Sequence, residues 1–69
     1  MGLGENIEQL IIEQGLKKCK VAERSGIRFS KLSRIIHGKA EADTREILAL
    51  CNTLNVSPNE LFGYDSEEE

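Results

Sequence analysis

Sixty-nine residues make one small domain, and at this length folding buries only about 60% of the surface that the unfolded chain exposes. Cys19, Cys51 and His37 are the only thiol or imidazole groups, and they are scattered without C-x-x-C spacing, which excludes a four-ligand structural zinc site and leaves no cofactor expected. The net charge of −3 argues against a polyanionic partner only until it is divided along the chain: residues 1–16 carry −3, residues 17–39 carry +7 and residues 40–69 carry −7.

In chain order, Leu3, Ile7, Leu10 and Ile11 repeat at helical spacing and Gly15 stops the run, predicting helix 1 over about residues 4–14. Leu16, Val21 and Ala22, closed by Gly26, predict a short helix 2 over about residues 18–25. Ile27 falls in the turn, and Leu32, Ile35 and Ile36 mark helix 3 over about residues 29–37, closed by Gly38. A glycine follows each of the three, as suits a left-handed residue just past a helix end. After a loop at residues 39–42, Asp43-Thr44-Arg45-Glu46 forms a capping box. It opens helix 4, with Ile47, Leu48, Leu50, Cys51 and Leu54 as its apolar positions. Ser57-Pro58-Asn59-Glu60 is a second box, with proline at the first helical position, and opens a short helix 5 carrying Leu61 and Phe62. No segment alternates with period two, so the class is all-α. Asp65-Ser66-Glu67-Glu68-Glu69 reads as an acidic flexible tail, which divides the chain into a domain at residues 1–64 and a tail at residues 65–69. Without a signal-peptide core or an apolar run near 18 residues, a soluble cytoplasmic protein with no membrane partner is expected. Cys51 is expected in the core and Cys19 at the surface, both as thiols.

The caps expected at helices 4 and 5 are missing at helices 2 and 3, which begin near Lys17 and Arg28. Ser, Thr or Asp at such a position is preferred by about 1 kcal/mol, and a cation there opposes the helix dipole. Two neighbouring breaches of one rule point to a role for positive charge at both helix starts, and a phosphate would supply it. All but one of the nine basic residues lie at residues 17–39. A local patch of this kind attracts polyanions from a chain that is acidic overall. Helix 2, the tight turn and helix 3 together make a helix-turn-helix, whose second helix reads the major groove of DNA.

The pattern Leu16, Val21-Ala22, Gly26-Ile27, Leu32, Arg34-Ile35, Gly38-Lys39 resembles the phage-repressor and Cro-like family, also called the xenobiotic-response-element type. Leu50, Leu54-Asn55-Val56-Ser57 and Glu60-Leu61-Phe62 extend the likeness over about residues 3–63. The resemblance implies a five-helix lambda-repressor-like fold, operator DNA as ligand and commonly a homodimer joined near helix 5. Phe62 and Tyr64, two aromatics near the chain end, are expected at its interface; the alternative is a monomer in which Phe62 closes its own core. Three departures stand out. The family often has Ser or Thr and then Gln where this chain has Lys17 and Lys18, and the loop proline is missing near Ala42. Many members pair an Arg in helix 1 with a Glu at the end of helix 3, at positions that here are Ile11 and Ile36. Both have become apolar together, a swap that is often neutral or stabilising where the pair was buried.

On a helical wheel, Leu32, Ile35 and Ile36 face the core, Ser30, Ser33, Arg34 and His37 face away, and Phe29 lies on the border. The resemblance puts the positions of Phe29, Ser30 and Arg34 on base edges, with Arg28 and Ser33 close by. Arg34 is the strongest candidate because a bidentate arginine on guanine is the commonest specific contact, with a phosphate clamp as the alternative. For Phe29 a thymine-methyl contact and an edge-of-core place both stay open. Lys17, Lys18, Lys31, His37 and Lys39 are assigned to phosphate, where they set affinity and register and not sequence. His37 has the alternative of a solvated residue at a helix C-terminus. The function that follows is a double-stranded-DNA-binding transcription regulator, most simply a repressor, with no small-molecule ligand. The rival is a protein-interaction module on the same scaffold, such as an antitoxin, acting through its acidic helices. With one histidine and no second base near it, an enzyme is not expected.

Overall fold

The computed structural model describes residues 2–63. Five helices follow in order: α1 (Leu3–Glu13), α2 (Lys18–Ser25), α3 (Phe29–Ile36), α4 (Thr44–Leu54) and α5 (Pro58–Phe62), with no strand among the described residues. The acidic stretch at residues 65–69, expected as a tail, lies outside them.

Local chemistry sets the helix ends. At α4 the Asp43 carboxylate accepts from the Glu46 amide at 2.9 Å, and Glu46 accepts from the Asp43 amide at 3.0 Å. Ser57 and Glu60 repeat the exchange at α5. α1 starts one residue earlier than its periodicity predicts because the Gly2 amide donates to the Glu5 carboxylate at 3.3 Å, half of such a box. α3 ends at Ile36, one residue short of the sequence expectation. There the Lys39 amide donates to the Arg34 carbonyl at 2.7 Å and the Gly38 amide to the Ile35 carbonyl at 3.1 Å, a Schellman close that requires the positive φ of 75° at Gly38.

α1 packs on α3 and α5, α2 packs on α3 and α4, and α4 also packs on α5. One core results, holding Ile7 and Ile11 of α1, Val21 and Ala22 of α2, Ile27 of the turn, and Leu32, Ile35 and Ile36 of α3. Leu50, Cys51, Leu54 and Leu61 close it from the other side. Ile11 and Ile36, the two positions expected to have become apolar together, are 3% and 5% exposed in that one cluster. Burial raises the Cys51 thiol above its ordinary pKa by desolvation, which keeps it neutral, while Cys19 is an exposed free thiol.

Two joints had no sequence signal. Gly4 is buried where α1 crosses the end of α3, so closely that a Cβ there would overlap the backbone carbonyls of Ile35 and Ile36. The Gln14 side-chain amide donates to the Leu54 carbonyl at 2.6 Å, tying the end of α1 to the end of α4.

Candidate nucleic-acid interface

α3 exposes one face. Its burial of Leu32, Ile35 and Ile36 turns Ser30 and Arg34 outward, both exposed, with Ser33 half-buried beside them. Arg28 and His37 bracket this face at the two ends of the helix, and both are exposed. Phe29 is 53% exposed, so the solvent side is its place and not the core edge. Among the described residues, Arg28 and Arg34 form no ion pair. Two guanidiniums on an open surface thus keep their donors for a ligand.

The starts of α2 and α3 are built unlike those of α4 and α5. Lys17 and Arg28 hold the N-cap positions of α2 and α3 in extended geometry, and neither side chain caps its helix. The first-turn amides of both helices therefore lack the side-chain acceptors that Asp43 and Ser57 supply at α4 and α5. Amides at a helix N-terminus, with the positive end of the dipole and a cation beside them, attract an oxyanion. The two adjacent uncapped starts thus carry two fixed partial positive charges in addition to the side chains.

The expected phosphate-binding cations do not all stand alike. Lys17 and Lys39 are exposed and form no ion pair among the described residues. Lys18 lies across α1, its ammonium 3.2 Å from the Glu8 carboxylate. Lys31 reaches the Glu46 carboxylate at 3.0 and 3.3 Å. His37 caps the end of α3, with Nδ1 2.8 Å from the Ser33 carbonyl oxygen. Since a carbonyl only accepts, Nδ1 carries the proton there and Nε2 stays available. Glu8 and Glu46 were not legible as partners of these lysines because each pair joins different helices. Of the two residues expected at a dimer interface, Phe62 is 38% exposed and Tyr64 lies outside the described residues. Leu48, an apolar position of α4, is also exposed at 53%. With Pro58, Ile47 and Ala42, Leu48 and Phe62 line one shallow apolar depression on α4 and α5.

No helix among the described residues is long and apolar enough to cross a membrane. Among solved structures, the restriction-modification controller protein C.AhdI from Aeromonas hydrophila is similar, at 28% identity and a TM-score of 0.84, over 87% of this chain and 91% of that one. The P22 c2 repressor protein, solved in complex with the synthetic operator 9T, superposes with a TM-score of 0.85 over 94% of this chain and 98% of its own. At 22% identity that likeness is one of fold. A search of curated proteins found no match. The family model of the Cro/C1-type helix-turn-helix DNA-binding domain matches residues 6–67, nearly the whole length, and the chain belongs to that family.

Proposed function

We propose that this DNA-binding transcription regulator is a cytoplasmic repressor that reads the major groove with α3. The observation that carries the proposal is that Arg28 and Arg34, exposed at the start and on the open face of α3, form no ion pair among the described residues, and that α2 and α3 both start on a cation without a side-chain cap. In the proposed complex Arg34 reads guanine through its two-pronged donor set, and Phe29 packs on a thymine methyl. Ser30, Ser33 and Arg28 complete the base-facing group. Lys17, Lys18, His37 and Lys39 hold the backbone, Lys18 by exchanging Glu8 for phosphate. Lys31 would join that backbone group only by giving up Glu46. The match of residues 6–67 to a DNA-binding domain family supports the class of ligand.

Titration of duplex binding against salt tests this reading. Lys39→Ala is expected to weaken all sequences alike and to flatten the slope of log affinity on log[salt] by about 0.9, the value for one phosphate contact. Wild-type binding that does not respond to salt would favour the protein-interaction module instead.

The working form in this proposal is a symmetric dimer joined through the α4 and α5 face that holds Leu48, Pro58 and Phe62. A thin core gains from further apolar burial, and aromatic residues are enriched at interface centres. Two reading helices must sit about 34 Å apart to meet successive major-groove half-sites, a spacing that the dimer joint has to hold. Sedimentation across micromolar concentrations, with and without a palindromic duplex, is expected to show two chains per duplex. Phe62→Ala is expected to reduce this to one. A wild type that stays one-to-one on the palindrome contradicts the dimer.

A further inference from the structure

We propose that Lys31 is a positioning residue, which holds the reading helix to the start of α4 through Glu46 and does not contact phosphate. The proposal rests on the DNA-binding reading above and assigns a second role within that surface. Lys31 leaves α3 on the flank between its buried and open faces, and its ammonium meets both oxygens of the Glu46 carboxylate, at 3.0 and 3.3 Å. Glu46 is itself committed: one of these oxygens accepts the Asp43 amide at 3.0 Å as half of the α4 capping box. The carboxylate is 18% exposed and the ammonium-bearing side chain 39%. One carboxylate thus ends the loop at residues 39–42, starts α4 and takes the charge of α3.

Two observations distinguish this lysine from its neighbours. Lys17 and Lys39 are exposed and form no ion pair among the described residues, so neither has a carboxylate there to give up. Lys31 would have to abandon a half-buried carboxylate, leaving that charge without its counter-ion beside the incoming phosphate. α3 packs mainly on α1 and α2. Among the described residues, Lys31–Glu46 is the only ion pair that joins α3 to another helix. Its loss leaves the outer end of the turn between α3 and α4 held by loop backbone, so the tilt of Arg34 and Phe29 toward a groove becomes less defined. Misplacing a recognition group weakens contacts that the variant residue never made.

The test uses the full chain and a short duplex carrying the site that the wild type selects from random sequences. Lys31→Met and Glu46→Gln are each expected to weaken binding about threefold to fivefold, in line with a partly exposed pair. The double variant is expected to be no weaker than either single one, as for residues acting through one interaction. The salt slope is expected to stay at the wild-type value. Lys31→Arg, which keeps the pair, is expected to bind as the wild type does. Glutamine at position 46 preserves the capping box, so Glu46→Gln changes the pair and not the helix start. It also makes the face more positive, and simple charge attraction predicts tighter binding, the opposite sign. Unchanged or tighter binding by Glu46→Gln overturns the proposal, as does a slope lowered by about 0.9 in Lys31→Met or additive losses in the double variant. If Lys31→Met fails to fold, the sign of the Glu46→Gln effect decides. A wild type that binds no duplex refutes the DNA-binding reading and not this assignment within it.

Discussion

Gly4→Ala is expected to destabilise the domain by about 3 kcal/mol, roughly a 15 °C fall in melting temperature for a chain of this size. The sign is what makes the result informative. In an ordinary helix position the same change gains about 0.5–1 kcal/mol, because glycine loses more backbone entropy on folding than alanine does. At Gly4 the new methyl would overlap the carbonyl oxygens of Ile35 and Ile36, which are backbone atoms that cannot rotate away. α1 must then lift from the end of α3, which opens the core around Ile7 and Ile36. Gly2→Ala is the control: a Cβ there meets nothing within 4 Å, and its effect is expected to stay below about 0.5 kcal/mol. Thermal unfolding of the two variants separates the cases. A neutral or stabilising Gly4→Ala would mean that the two helices cross farther apart than the structure has them.

Ile36→Glu is expected to cost about 3–5 kcal/mol, the range for a buried charge without its partner. Small domains have total stabilities near the lower end of about 5–15 kcal/mol, so this variant is expected to be largely unfolded in mild urea. Ile36 is 5% exposed in a cluster of hydrophobic side chains, and no charged residue is buried with it among the described residues. The residue matching the family's arginine is Ile11, buried in the same cluster. Ile11→Arg on its own is expected to be comparably damaging, whereas the double variant Ile11→Arg/Ile36→Glu is expected to recover part of the loss. Urea unfolding followed by circular dichroism measures all three. A near-neutral Ile36→Glu, or a double variant that merely adds the two losses, contradicts the idea that this pair replaces an ion pair across α1 and α3.

What could be read from the sequence was what neighbouring residues decide among themselves. The two capping boxes at Asp43 and Ser57, the helix-ending Gly38 and the apolar stripe of Leu32, Ile35 and Ile36 all lie within a turn of what they control. The missing caps at Lys17 and Arg28 were legible for the same reason, and they stand uncapped in the structure. What escaped joins segments far apart in sequence. Lys31 meets Glu46 fifteen residues away, and Gln14 meets the Leu54 carbonyl forty residues away. Lysines read as one phosphate-facing set therefore divide in three dimensions, with Lys17 and Lys39 unpaired among the described residues and Lys18 and Lys31 on carboxylates. Gly4 was invisible because a close helix crossing leaves no periodic mark on either strand of sequence involved. Phe29 fell on the border of the wheel, where a shift of a few degrees decides its side, and only the packed helix puts it outside.

The claim at the centre is that α3 reads base edges and that Arg34 is its principal reader. Selection of preferred duplexes from a random pool, run in parallel with the wild type and with Arg34→Ala, tests it most directly. The wild type is expected to return a palindromic consensus with half-sites about one helical turn apart. Arg34→Ala is expected to return the same consensus with one base pair per half-site gone degenerate, a loss of about 1–3 kcal/mol of discrimination there. Arg34 would become a phosphate contact, and the claim would fail, if the variant bound every sequence more weakly while its consensus stayed unchanged.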